Sequence, residues 1–347
     1  MVKNFKQAGF FDMDNRKKKL LETRDFLERV RVLVDWEAFR PLLDKALNRS
    51  QSKAGGRPAY DCVLMFRILV LQALYNLSDE QTEYQILDRL SFMNFLGLAL
   101  HKTVPDARTI WLFREALISA KAVENLFNKF DAMLAESGFA ANGGQIVDAS
   151  FVEVPRQRNT REENKTIKNG EKPEGWSDKK VAHKDINARW TKKNEQSYFG
   201  YKNHINIDRK HKLVRRYSVT DASVHDSQEM DIVLKNSADK NVWADSAYRA
   251  EAQEIRLSEA GFISNIHERA YRGKPLNDAQ KSSNTEKSRV RARVEHVFGH
   301  ITNSMNGCFV RTIGFARAEA KIGMENLAYN ISRFAFLMSQ NNATIAS

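Results

Sequence analysis

Residues 138–154, GFAANGGQIVDASFVEV, change the periodicity of the chain, and that change limits the folds open to it. Ile146, Asp148, Ser150 and Val152 alternate with Val147, Ala149, Phe151 and Glu153, a period of two that an extended strand divides between opposite faces. Gly143 and Gly144 in front of the strand act as chain punctuation. What precedes them reads at helical spacing. The sequence therefore predicts an all-α N-terminal domain over residues 1–137 and an α/β domain over residues 138–347.

In the helical part, DCVLMFRILVLQALYNL (61–77) is apolar over a broad surface, broken chiefly by Arg67 and Gln72. KAGGRP (53–58) ahead of it supplies a flexible joint and places Pro58 near the first turn. Ser78 and Gln81 have capping-box spacing, so the polar break at LSDEQ starts a new helix. Short helices are expected at 79–90, 91–98 and 105–117, the last capped by Asp106 and carrying Ile110, Phe113, Arg114 and Leu117 at helical period. Three short helices with tight turns suit a helix-turn-helix reader of DNA, and equally a bundle that only packs or dimerises.

Composition narrows the partners. A hydrophobic fraction of 42% is enough for a real core and excludes wholesale disorder. The excess of 55 Lys and Arg over 43 Asp and Glu leaves a net charge of +12, which favours polyanions, nucleic acid foremost. Cys62 and Cys308 are the only cysteines and form no CxxC spacing, so neither a disulfide framework nor a structural zinc is expected. Charges interrupt the first 21 residues every few positions, and no uncharged apolar run reaches roughly 18 residues. Neither a signal peptide nor a membrane span is predicted, and the expected location is the cytoplasm, at the nucleoid.

Beyond the first strand, residues 155–197 are polar and rich in Lys and Arg, a basic insertion that either orders on DNA or forms a solvated loop. Counterion release would make any such binding fall steeply with salt. SYFGYKNHINID (197–208) and HKLVRRYSVTDA (211–222) read as strands about a turn at 208–210, and DSQEMDIVLKN (226–236) as a helix capped by Asp226 or Ser227. NVWAD (241–245) is a strand, 250–261 a helix ending on Gly261, and 262–266 a further strand. Helices from about 285 to 305 and from 315 to 340 close the chain. The order β-β-β-α-β-α-β-α predicts a mixed sheet flanked by helices.

Three carboxylates fall on telling elements of that order. Asp148 sits within the first strand, Asp245 ends the fourth, and Glu295 lies on the helix after the fifth. Ligands of open sheets collect at the carboxyl ends of strands, and converging acids there suit hard divalent cations. Packed together without a cation, such acids would repel and partly protonate near neutral pH. Two ions would activate the attacking oxygen and stabilise the leaving oxygen of a phosphodiester. Taken singly, Asp245 also reads as a cap and Glu295 as the i, i+4 partner of Arg291. Val290, Val294, Val297, Ile301 and Met305 form the apolar stripe of that helix, which leaves Arg289, Arg293 and His300 for phosphates. His296 and His300 also have metal-ligand spacing, a zinc alternative that lacks a third soft ligand nearby.

IVDASFVE (146–153), ARWTKKNEQSYFGYKNHI (188–205), TDASVHDS (220–227), WADSAY (243–248) and RARVEHVFG (291–299) together resemble the DDE transposases of bacterial insertion sequences, the insertion sequence 5 family most closely. RLSFMNFLGL (89–98) and PDARTIWLFRE (105–115) resemble the N-terminal region of that family, so the similarity covers about residues 35–335. The resemblance implies a ribonuclease-H-like catalytic domain whose triad is Asp148, Asp245 and Glu295, holding Mg2+ or Mn2+ as two ions per site. It implies terminal inverted repeats and target DNA as substrates, and a homodimer on paired ends. The family signature around the glutamate carries a Tyr and a basic residue where this chain has Ser288 and Thr302, which puts one end contact in question. Candidate DNA contacts are Arg291, Lys202, His204, Arg289, Arg293, His300, Lys179, Lys180, Arg189 and Trp190. Lys202 and His204 alternate along their strand and either face phosphates or simply lie on an exposed strand face, and Tyr201 or Trp190 would stack on a base or serve the core. A nuclease without strand transfer and a non-catalytic DNA-binding protein are the rival readings.

Overall fold

Capping signals set the helical part. The computed structural model describes residues 11–22, 25–48, 58–193, 195–235, 238–271 and 273–345; apart from Pro58, the expected joint at KAGGRP lies outside them. Seven helices open the described chain: α1 (Asp12–Glu22), α2 (Phe26–Leu33), α3 (Arg40–Ala46), α4 (Cys62–Tyr75), α5 (Asp79–Asp88), α6 (Leu90–Leu96) and α7 (Ala107–Ser119). Both halves of the capping box form at α5, where Ser78 accepts from Gln81 N and the Gln81 side chain accepts from Ser78 N. Asp106 caps α7 by accepting from Thr109 N at 2.7 Å.

Helix α4 is the buried axis of this unit, with Phe66, Ile68 and Leu71 fully enclosed. Trp36 meets Phe66 and Phe95 in T-shaped pairs, and the Phe39 and Phe66 ring centres lie 4.9 Å apart. The polar breaks in α4 are both used. Arg67 lies over the Trp36 and Phe95 rings at 5.4 and 5.0 Å, and burial lowers its pKa to about 10. Gln72 donates to Asp79 and Thr82 and accepts from Arg114, which also pairs with Asp79 at 2.6 Å.

Contacts divide the chain into two compact units, Met1–Gln72 with Leu77–Ala120 and Phe334–Ser347, and Ala73–Asn76 with Lys121–Arg333. The second unit begins with α8 (Ala122–Glu136) and β1 (Gln145–Glu153). It continues with α9 (Arg161–Lys168), α10 (Asp178–Ala182), β2 (Arg189–Lys193), β3 (Gln196–Asp208), β4 (Val214–Asp221), α11 (Met230–Val233) and β5 (Asn241–Ala244). It closes with α12 (Glu251–Glu259), β6 (Ile263–Ile266), α13 (Asp278–Gly299) and the first part of α14 (Phe315–Ile345).

The six strands form one mixed sheet in the order β2-β3-β1-β5-β6, with β4 also paired to β3. Strand β3 is antiparallel to β1, β2 and β4, whereas β5 runs parallel to β1 and to β6. A mixed sheet flanked by helices, after a helical N-terminal region, is consistent with a ribonuclease-H-like fold. Gly200 is required where β3 crosses the end of β1, because a Cβ there would collide with the Val152 carbonyl oxygen and its φ is +152°.

The alternation along β1 separates two cores. Val147 packs with Met230, Val233, Val242, Tyr248 and Ile266 on one face. Val152 packs with Tyr201, Val219, Ala318 and Ile322 on the other. A buried charge cluster joins α8 to the β3–β4 turn: Arg215 pairs with Asp208 at 2.8 Å and Asp131 at 2.9 Å and donates to the Phe139 carbonyl at 2.6 Å.

Several sequence expectations need correction here. The turn at 208–210 extends to residue 213, because Asp208 turns inward to accept from His211 N, Leu213 N and Arg215. The expected helix 226–236 is a 3-10 turn, Asp226–Gln228, followed by the short α11. Helix α13 starts earlier than expected, at a capping box made by Asn277 and Gln280. The basic insertion is folded: buried Trp176 donates to Glu163, and buried Asp185 accepts from Tyr201 and from the Asn187 and Ala188 amides. Among the described residues no single helix is long and apolar enough to cross a membrane.

Candidate active site

Parallel pairing of β1 with β5 sets Ile146 opposite Trp243. Two residues further along each segment stand Asp148 and Asp245. Asp245 follows the last residue of β5 and caps the 3-10 turn Ser246–Tyr248, accepting from Ala247 N at 2.8 Å. Asp148 is 9% exposed; its Oδ1 accepts from Ala149 N at 2.9 Å and its Oδ2 from Arg291 Nη1 at 2.6 Å. Burial pushes the Asp148 carboxyl up to about 6, against the pull of Arg291 and the Ala149 amide and with the help of the Asp245 charge. The two acids are thus close enough for the charge of one to oppose ionisation of the other.

Glu295 reaches this pair through an arginine. Helix α13 packs against β1 and β5, burying Val294 and Val297. On the flank of that stripe, Arg291 spans one turn to Glu295, with Nη2 donating to Oε1 at 3.0 Å. The same guanidinium holds Asp148, so Arg291 bridges two acids 147 positions apart in sequence (295 − 148). The Glu295 side chain is 61% exposed and that of Arg291 is 24% exposed. Sequence spacing predicts the bond to Glu295; the one to Asp148 is long-range, and no local spacing encodes it.

Tyr248 sits within electrostatic reach of both acids. It is fully buried, and its hydroxyl has no hydrogen-bond partner among the described residues. Burial, then the charges of Asp148, Asp226, Asp245 and Glu229, holds the phenol well above its usual range. It therefore stays a protonated donor beside a set of carboxylates. Lys193, exposed at the end of β2, is near enough to pull the Asp148 carboxyl downward, a proximity that no local motif encodes.

The donor chemistry suits a hard divalent cation, since two mutually repelling carboxylates and an orphaned phenol share one locality. The fit is partial. Among the described residues no three His, Cys, Asp or Glu side chains converge closely enough to hold an ion between them. Asp148 and Asp245 could offer two carboxylate ligands, whereas Glu295 is held on Arg291. The zinc alternative at His296 and His300 gains no third ligand either.

The expected DNA contacts divide by burial. Lys202 is 7% exposed, donates to Val224 O at 2.6 Å and pairs with Asp226 at 2.8 Å. His204 is fully buried, bonds Thr220 at 2.9 Å, and is lowered to about 4 by burial. Their strand face is covered, which corrects the exposed-face reading, and both side chains are engaged by protein partners. Tyr201 serves the core and Asp185. Arg189 donates to the carbonyls of Ile186, Ala188 and Ile167, and Arg293 to that of Arg209, so both are engaged in holding backbone. His300 is half-buried against Tyr329. Lys180 pairs with Glu163 and lies over Trp176. Lys179, Arg289 and the 41%-exposed Trp190 face outward. Ser288 bonds His267 at 3.0 Å, and Thr302 falls in the π-helical segment His300–Ser304 after α13.

Two family models match the chain: one described as Transposase DDE domain over residues 141–331, and one described as Transposase domain (DUF772) over residues 15–116. A solved structure, the piggyBac transposase synaptic complex with hairpin DNA, aligns at 10% identity and a TM-score of 0.41, over 91% of this chain and 75% of that one. That likeness is too weak to transfer any residue role.

Proposed function

Because the chain belongs to the transposase DDE domain family, whose model covers residues 141–331 and so more than half of it, we propose that it works as a DNA transposase of the insertion sequence 5 type. It binds the terminal inverted repeats of its element, cuts at their ends and joins the freed 3′ ends to target DNA. The observation that carries this reading is the adjacency of Asp148 and Asp245 on neighbouring parallel segments, with Glu295 tied to Asp148 through a single side chain.

Asp148, Asp245 and Glu295 would hold Mg2+ or Mn2+, two ions per site. When bound, such ions supply activation of the attacking oxygen and stabilisation of the leaving oxygen in an in-line displacement. The chain's own residues prepare that site. Burial keeps Asp148 reluctant to ionise, so its charge is strongest in demand of a cation. The Ala247 amide fixes one oxygen of Asp245, and Tyr248 offers a buried proton donor beside both acids. Lys179, Arg289 and Lys193 supply exposed positive charge for the DNA backbone, with Trp190 as an exposed aromatic face. Two ends must be held together for both to be joined, which assigns a homodimer to the working complex.

A joining assay tests the proposal. A plasmid carrying the DNA that flanks the reading frame is incubated with the full chain, Mg2+ and a second target plasmid. Recombinant product is expected from the wild type and none from Asp148→Asn. Cut but unjoined DNA would favour a nuclease; no cut or joined product from the wild type, with DNA binding equal in wild type and Asp148→Asn, would leave only a DNA-binding role.

A further inference from the structure

Arg291 is placed where a cation belongs. Its planar guanidinium donates to Asp148 through Nη1 and to Glu295 through Nη2, at 2.6 and 3.0 Å, so that one positive group satisfies two of the three acids. An arginine is charged at any working pH, and its fork spans two carboxylates in a way that a point charge cannot. The bridge keeps a way to open on its Glu295 and Arg291 side. Glu295 is largely exposed on α13, and the Arg291 side chain retains access to solvent.

We propose that Arg291 is a built-in competitor for the carboxylates of the active site, so that a divalent cation is admitted only when the guanidinium swings off Asp148 and Glu295. This rests on the reading that Asp148, Asp245 and Glu295 hold the ion. The consequence is a site whose apparent metal affinity is reduced by the fraction of time the arginine stays in place. A residue that merely aimed Glu295 at the ion would have the opposite effect, because its removal would weaken binding. The sign of the change separates the two roles. The absence of any three-acid cluster among the described residues has the same origin, since the third acid is turned onto Arg291.

The test is Mn2+ titration of the full chain at pH 8, followed by the paramagnetic resonance of the free ion, with thermal melting to verify folding. Arg291→Gln is expected to bind Mn2+ about tenfold more tightly than wild type, because it removes the competitor. Arg291→Lys keeps the charge and loses the fork, so it is expected to tighten binding by about threefold. Equal or weaker binding by Arg291→Gln overturns the proposal, and so does an Arg291→Lys that matches wild type, which would reduce the effect to net charge. Asp148→Asn should abolish the binding seen in wild type. If no variant and no wild-type protein binds Mn2+ saturably, the carboxylate reading itself fails, a result distinct from binding that is present but indifferent to Arg291.

Discussion

Replacing Asp148 with Asn probes the electrostatics of the site before any DNA is added. In the folded protein, burial raises this carboxyl from 3.8 to about 6, with Arg291 and the Ala149 amide opposing and Asp245 assisting. At ~1.4 kcal/mol per pKa unit, that displacement costs the folded state about 3 kcal/mol once the acid is ionised in both states. The folded value lies above the unfolded one, so the protonated acid favours folding. That contribution is intact below 3.8 and is lost as pH rises through about 6. The amide has no such proton equilibrium; its single oxygen can keep the Ala149 N bond but its NH2 cannot accept from Arg291, a loss that does not vary with pH across this range and so drops out of the pH-dependent difference. The variant should therefore gain stability over wild type by about 1 to 2 kcal/mol between pH 5 and pH 8. Urea unfolding of both proteins in chelating buffer, at half-unit pH steps, gives the difference directly. It should climb through pH 6 and level off above pH 7. A difference that stays flat from pH 5 to pH 8 would show that Asp148 is not strained by burial, and the case for a cation-seeking site would lose its electrostatic basis.

Arg215→Met should destabilise the sheet unit by about 3 to 5 kcal/mol, because it strands the buried Asp208, and adding Asp208→Asn should recover part of that loss; urea midpoints decide. Gly200→Ala should cost about 3 kcal/mol, since a Cβ meets the Val152 carbonyl in a conformation reserved for glycine; an unchanged melting temperature would refute the crossing geometry. Trp176→Ala should free the basic insertion from its anchor, seen as trypsin cleavage near Lys179 and Lys180 about tenfold faster than in wild type while the rest of the chain stays intact.

The elements that carry the three acids were legible in the sequence because local rules govern them. Period-two alternation fixed β1 around Asp148, the apolar run NVWA fixed β5 before Asp245, and the Val290–Val294–Val297 stripe oriented α13 with Glu295 on its flank. The same rules could not report what covers a face. Lys202 and His204 alternate correctly along β3, yet the TDASVHDS segment folds back over them and Asp226 claims the lysine, a contact 24 residues away in sequence. The insertion looked coreless because aliphatic residues are few, although single side chains anchor it: Trp176, Ile167 and the turn-forming Asp185. Local spacing gave Arg291 its partner Glu295; the second bond, to a strand 143 residues earlier, depends on how α13 packs against the sheet.

The central claim, that these three acids ligate the ions of the reaction, is tested most directly by exchanging each for cysteine and comparing metals in the joining assay. A thiolate is a poor ligand for Mg2+ and a better one for Mn2+. Asp148→Cys, Asp245→Cys and Glu295→Cys should each be inactive with Mg2+ and regain joining with Mn2+, while wild type works with both. Variants that stay inactive with both metals, or that join DNA equally well with Mg2+, would contradict the assignment.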